Sequence, residues 1–370
     1  MKKRLFLLLA SCLLSLLLAE VVLRIHNPFP GRVRGDQIVL GRNVRFVYSG
    51  PVNPKLDSEI VYSTNSLGLR GPEPPLDLDG YTSIITVGGS TTECRYLSDD
   101  KTWPAQLERS LLKSTAKIWV NNAGLDGHST FGHSILLQDH VLKLKPTFVL
   151  FLVGWNDVGL RVSRDYDRAQ IAWKSGSLRQ LFISVANHSE VLTLALIASR
   201  SRRAWLGGMR HGMEFDIRKQ PVFKMTESEI TALCDYHSEN FIAGYERRLR
   251  ELMVMSRAAG TEPVLLTQPS LCAMGVDAAT GFDFSVARAE PDMNCGALWR
   301  LLEIYNDSTR RVGRETTTKV IDLARLLPRD ESYFYDMAHF AAPGAAAVGE
   351  IVAQSLVADL VPHGEASSPN

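Results

Sequence analysis

Five short apolar runs, separated by stretches of helical periodicity, organise the chain from residue 82 onward. Ser83 to Val87, Lys117 to Asn121, Thr147 to Val153, Pro263 to Thr267 and Lys319 to Leu323 read as strands buried on both faces, because their apolar residues run on rather than alternate. Trp103 to Leu112 places Leu107, Leu111 and Leu112 on one side of a helix, with Thr102 before it as a cap. Further helices are expected at Ile135 to Leu144, Thr226 to Ala259, Leu298 to Arg314 and Gly344 to Leu360. Strands that alternate with helices imply a parallel sheet covered on both faces, an α/β fold. Ligands of such sheets bind beyond the carboxyl ends of the strands. Ser90 and Asn156 both fall there, each just after an apolar strand.

The amino end departs from this pattern. Lys2-Lys3-Arg4 precede an almost uninterrupted leucine run from Leu5 to Ala19, then Glu20-Val21-Val22-Leu23-Arg24. Positive charge before an apolar run is an export signature that leaves the charged end in the cytoplasm. The run is short against the usual ~20 residues of a spanning helix, but Val21 to Leu23 extend it if Glu20 reaches the interface. No small-x-small cleavage site follows, which favours an uncleaved anchor over a cleaved signal. Leu9-Ala10-Ser11-Cys12 resembles a lipoprotein box, yet the apolar stretch before it is short and continues past Cys12. On either outcome the body is expected outside the cytoplasm, periplasmic, beside the inner membrane.

The divisions expected are therefore a membrane segment at 1–25, a lead-in with short strands at 26–80, a catalytic domain at 81–362 and a disordered tail at 363–370. Within the lead-in, Val44 to Tyr48 alternates as a strand would, and Asn65 to Pro72 reads as a structural loop under the sheet. The domain is interrupted at 158–225. From Val158 to Lys224 this insertion carries twelve basic against five acidic residues, and an apolar run, Val191 to Ala198, ends in Ser199-Arg200-Ser201-Arg202-Arg203. Its plain reading is a helical insertion with a solvated basic edge. The sharper one is a lid touching anionic headgroups or an acidic polysaccharide.

Composition narrows the classes. A chain of 370 residues, 45% hydrophobic, can bury a large core, and a formal net charge of +1 gives no reason to expect nucleic acid. The five cysteines include no CxxC, HExxH is absent, and the histidines do not cluster at ligand spacing, so no metal is expected. Cys272 and Cys295 flank a Gly/Asp/Ala-rich stretch; a disulfide or two separate buried thiols would serve equally. Cys94 reads as a packing residue rather than a second nucleophile.

Chemistry concentrates in four blocks. The turn Val87-Gly88-Gly89-Ser90-Thr91-Thr92 puts a serine where the chain is too tight for packing side chains. A serine hydroxyl is a poor nucleophile that needs a base, and the base needs an orienting group. Asp336-x-x-His339 can supply both. Between them lie Asn122-Ala123-Gly124-Leu125-Asp126-Gly127-His128-Ser129 after the second strand and Gly154-Trp155-Asn156-Asp157 after the third. A phosphate loop lacks its G-K-[ST], and a G-x-S-x-G elbow is missing.

Taken in order, these blocks resemble those of the SGNH (GDSL-type) hydrolases, over residues 82 to about 360. Gly89 stands where the family more often has aspartate, and Thr92 where GDSL has leucine. The resemblance implies a three-layer α/β/α sandwich on a doubly wound, mainly five-stranded parallel sheet, flavodoxin-like, with no cofactor. It assigns Ser90 as nucleophile, His339 as base and Asp336 as its orienting carboxylate. The oxyanion donors it implies are the backbone N–H groups of Ser90 and Gly127 and the Asn156 amide. Asp157 is expected as a structural partner, with His128 and His133 on a loop or helix surface. The activity implied is cleavage of an acyl ester, on an envelope glycan or a lipid, through an acyl-enzyme. Acyl transfer to a glycan hydroxyl uses the same residues, and a silent envelope-binding module is the reading from another class.

Overall fold

Strand Thr82–Gly88 (β1) is buried from Ser83 onward and lies one strand in from the edge of a five-stranded parallel sheet. Its neighbours are Ile118–Asn122 (β2) on one side and Phe148–Leu152 (β3) on the other; Glu262–Leu266 (β4) and Lys319–Ile321 (β5) continue the sheet. The spatial order is therefore 2-1-3-4-5, with Ile84 paired to both Val120 and Phe148. All five lie within two residues of the spans expected from their apolar runs. The computed structural model describes residues 2–26, 33–34, 37–50, 53–158, 181, 184–206, 216–272, 276 and 281–360. The tail expected at 363–370 and much of the 158–225 insertion lie outside them.

The helices are Trp103–Leu111 (α1), Thr130–Asp139 (α2), Ala243–Ala258 (α3), Cys295–Glu315 (α4) and Ala342–Leu360 (α5). Packing of α1 on α5, and of α2 on α3 with α3 on α4, makes a helical layer on each side of the sheet. Local chemistry sets the boundaries. The Thr102 hydroxyl accepts from Ala105 N–H, as its capping role requires. Thr226 and Glu229 form a reciprocal capping box at the start of Glu227–His237, which runs through a π turn at Ser238–Ile242 into α3. Helix α2 corrects the expected span of Ile135 to Leu144. Ser129 caps it by accepting from Phe131 N–H, so it starts five residues earlier, and Val141–Leu144 is a separate 3₁₀ turn.

The chain divides into two units, Met1–Gly41 with Ser163–His211 and Arg42–Val162 with Gly212–Asn370. The second holds the sheet. It also holds a hairpin, Arg45–Ser49 against Glu59–Ser63, whose first strand includes most of the alternating run. The first holds helix Lys2–Ile25, long and apolar enough to cross a membrane, and helix Glu190–Leu206.

Candidate functional site

In the 2-1-3-4-5 order the chain leaves β1 toward opposite sides, and the crevice this opens lies beyond the carboxyl ends of β1 and β3. Ser90 follows β1 and Asn156 follows β3, so the topology makes neighbours of residues 66 positions apart.

Ser90 begins a one-turn helix, Ser90–Glu93, closed by Cys94 in the left-handed region with its N–H on the Ser90 carbonyl at 2.9 Å. Asn122 binds this turn by donating to the Thr92 carbonyl at 2.6 Å, while its own Oδ1 accepts from Gly124 N–H at 2.7 Å. Glu93 accepts from Asp126 N–H at 2.7 Å, and Leu125 N–H reaches the Gly88 carbonyl at 3.0 Å. The glycine block is thereby hydrogen-bonded to the serine turn along its length. Gly127, at φ +74°, follows, and the His128 carbonyl just beyond it accepts from Asn156 Nδ2 at 3.0 Å. An amide carries two N–H bonds, and among the described residues this carbonyl takes only one of them. Gly89 gives Asn156 its room: a Cβ there would lie 2.2 Å from Asn156 Nδ2. The departure from the commoner aspartate thus has a steric reason in this chain.

Asp336 and His339 arrive from the other end of the sequence. One carboxylate oxygen of Asp336 accepts from the backbone N–H groups of Ala338 (2.9 Å) and His339 (2.7 Å), and the other lies 2.6 Å from His339 Nδ1. The same turn therefore fixes both the backbone and the ring. His339 Nε2 lies 2.7 Å from Ser90 Oγ, and the Tyr335 ring stacks on the imidazole with centroids 5.4 Å apart. The turn itself is anchored where Leu271 N–H and the Ser270 hydroxyl donate to the Met337 carbonyl. Burial disfavours charge on His339, but the Asp336 carboxylate outweighs it, and Asp126 and Glu93 add to the same side, so its pKa stands above the ordinary value. Burial likewise works against the Asp336 anion. The positive partner and three hydrogen bonds prevail and hold it below the usual carboxylate range. The arrangement can pass a proton from a hydroxyl to an imidazole whose tautomer a carboxylate fixes.

Asp157 sits beside Asn156 but is turned into the protein. Its carboxylate accepts from the Thr130 hydroxyl at 2.6 Å and pairs with Arg248 at 3.2 Å, tying the Trp155–Val158 turn to α2 and α3. Burial pushes its pKa up, opposed by Arg248 and Thr130. His128 lies in the loop before α2 and His133 on α2, as expected, but both are buried, His133 because α2 turns that face inward. Burial takes the His133 pKa down to about 3, which leaves it neutral.

Arg70 was hidden from sequence reading inside a loop expected to be structural. Its guanidinium is buried and all five N–H bonds are used: on Asp99 (2.7 Å), the carbonyls of Glu93 (2.8 Å) and Cys94 (2.6 Å), Val61 O (3.4 Å) and Leu97 O. Three of those carbonyls belong to the serine turn and the residues just after it. Cys94 is buried, its thiol pushed up to about 12. Cys272 and Cys295 are joined as a disulfide, with Cα atoms 4.8 Å apart, which closes the loop after β4 onto the first residue of α4. A cleft of about 740 Å³ at the other end of the sheet is lined by Arg257, Glu262, Lys319 and Asp359; these pair with one another, and none of the four blocks reaches it.

The model of the GDSL-like lipase/acylhydrolase family matches residues 86–347, which include all four blocks. No curated protein sequence matches the chain. Solved structures similar to it include a lipase/acylhydrolase from Enterococcus faecalis, 15% identical over 76% of this chain and 99% of that one, with a TM-score of 0.42. A GDSL-like lipase from Bacteroides thetaiotaomicron is 10% identical over 78% and 93%, TM-score 0.40. An acetyl xylan esterase is 12% identical over 74% and 100%, TM-score 0.42. The chain belongs to the GDSL-like lipase/acylhydrolase family and is a hydrolase acting on ester bonds.

Proposed function

We propose that the protein is a membrane-anchored, extracytoplasmic serine esterase that cleaves acyl esters of envelope glycans or lipids through a covalent acyl-enzyme. The observation that carries this reading is the relay from Ser90 Oγ through both nitrogens of His339 to Asp336, at 2.7 and 2.6 Å. Ser90 attacks the acyl carbonyl and its proton passes to His339 Nε2. The charge that develops on the carbonyl oxygen is met by the N–H groups of Ser90 and Gly127 and by the Asn156 amide. Collapse of this intermediate expels the alcohol, protonated by His339, and leaves the acyl group on Ser90. Water then gives a proton to His339 and attacks the acyl-enzyme. Ser90 departs with that proton and the carboxylic acid is released.

A serine-directed phosphonate tests the assignment. Mass spectrometry is expected to place the adduct on the peptide containing Ser90, with none formed in Ser90→Ala, and a short-chain p-nitrophenyl ester is expected to be cleaved by the wild type alone. An adduct on another serine, such as Ser129, removes Ser90 from the role.

The location rests on Lys2-Lys3-Arg4 preceding one apolar helix of mean hydropathy 2.6. A reporter that folds only outside the cytoplasm, fused after Asn370, is expected to be active and to sediment with membranes. Soluble mature protein that begins near residue 20 to 30 would establish a cleaved signal instead.

A further inference from the structure

Glu20 is the only acidic residue in helix Lys2–Ile25, near the end of an apolar segment where a carboxylate needs donors. It finds them in the insertion. Its two oxygens accept from the Ser189 hydroxyl at 2.8 Å and from the backbone N–H groups of Glu190 at 3.0 Å and Val191 at 3.1 Å. These N–H groups open helix Glu190–Leu206 and have no acceptor within it. The side chain of one helix therefore caps another from 170 positions away. Arg24, one turn later, donates to Glu20 at 2.8 Å and to the His188 carbonyl at 2.6 Å, and Arg34 pairs with Glu190.

We propose that helix Glu190–Leu206 lies on the membrane surface, held there by Glu20 and Arg24, and that its partner is a bilayer containing anionic lipid. This rests on the reading of Lys2–Ile25 as the membrane segment. Three observations point to lipid. The junction is made in the last two turns of the apolar helix, which on that reading is the level at which the helix leaves the hydrocarbon. Just before the insertion helix, Leu181 and Val185 are exposed, where water is a poor neighbour. Along the helix itself, Glu190 is the only acid, and after the apolar stretch Val191 to Ala198 the sequence places Arg200, Arg202 and Arg203. An apolar first half followed by arginines suits the boundary between acyl chains and phosphate headgroups.

Fluorophore quenching by spin-labelled lipids tests this on the full chain in vesicles. A label on the native Cys12, exposed on the apolar helix, in a background with Cys234 replaced by alanine, reports that helix; a label on Ala198→Cys, with Cys12 and Cys234 both replaced by alanine, reports the insertion helix. Cys94 is buried, and Cys272 and Cys295 have no thiol to label. Quenchers deep in the bilayer are expected to act on the Cys12 label, and quenchers near the headgroups on the label at 198. Omitting phosphatidylglycerol, raising the salt to about 1 M or introducing Glu20→Ala is expected to remove at least about half of the quenching at 198 and to leave that at Cys12 unchanged. A label at 198 that no lipid quenches, beside a quenched Cys12, overturns the proposal. If neither label is quenched, the membrane reading of Lys2–Ile25 fails with it.

Discussion

Asp336→Asn is expected to lower kcat by about 10⁴-fold at neutral pH while KM stays nearly unchanged, and His339→Ala to cost at least as much. The carboxylate accepts the Nδ1–H of His339 at 2.6 Å and leaves Nε2 to face Ser90 Oγ. An asparagine can present its own N–H₂ to the ring and stabilise the wrong tautomer. If the three groups act as one unit, as proposed, the double variant is expected to fall far short of the product of the single losses. The pH profile follows from the same contact. His339 must be neutral to take the proton, so kcat/KM rises with pH as the imidazolium ionises. Burial lowers that pKa and the Asp336 charge more than restores it, so the acid limb is expected above the ordinary 6.5. Asp336 itself is held below 3.8 and stays ionised across the working range, and so adds no limb of its own there. Asp336→Asn removes the chief raising influence and is expected to move the limb to lower pH as the plateau falls. Initial rates with a short-chain p-nitrophenyl ester across the pH range measure both effects. A flat wild-type profile, or near-normal turnover in His339→Ala, takes the pair out of the mechanism.

The parts of this site that could be read from the chain are those whose residues are rare and whose place in the strand order is fixed. Buried parallel strands announce themselves as unbroken apolar runs, and the first three blocks each sit at the end of one, so the neighbourhood of Ser90 and Asn156 followed from topology alone. What stayed hidden was set by contacts between segments distant in sequence. Ser129 belongs to the glycine block, and nothing in the sequence said that it also caps α2, although the start of that helix depends on it. His133 looks like any polar residue on a helix, and its burial is decided by which face α2 turns to the sheet. The disulfide was undecidable from spacing, because a separation of 23 positions fits a closed loop or an open one. Gly89 carried a signal that only the fold can interpret, since the atom it makes room for belongs to Asn156. Arg70 did carry a trace: an arginine among Leu67, Leu69 and two glycines, in a loop otherwise suited to burial, needs acceptors from somewhere.

Those acceptors make Arg70→Ala the most damaging substitution expected away from the reacting groups, at about 3–5 kcal/mol of stability. The guanidinium is 3% exposed, paired with Asp99 and laid over the Tyr62 ring at 4.6 Å. Removing it strands the Leu97 carbonyl in the interior, worth about 1–3 kcal/mol when unsatisfied, and takes one donor each from the carbonyls of Cys94, which keeps the Leu97 N–H at 3.0 Å, and Glu93, which keeps Asn122 Nδ2 at 3.5 Å. Urea unfolding is expected to show a lower midpoint with an unchanged slope. Such a loss alone would describe any buried cation, so the informative variant is Arg70→Lys. Lysine keeps the charge but offers three donors from a single point instead of five in a planar fork, and it cannot hold Asp99 and all four carbonyls together. The fold should survive, and Ser90, four residues before Cys94 on the same turn, should lose its alignment with His339 Nε2. The phosphonate labelling rate of folded Arg70→Lys is then expected to drop by about tenfold or more, as small misplacements of a reacting group commonly do, with KM for a small ester little changed. If labelling instead proceeds at the wild-type rate in a variant whose unfolding midpoint has fallen, Arg70 stabilises the turn without aiming the serine.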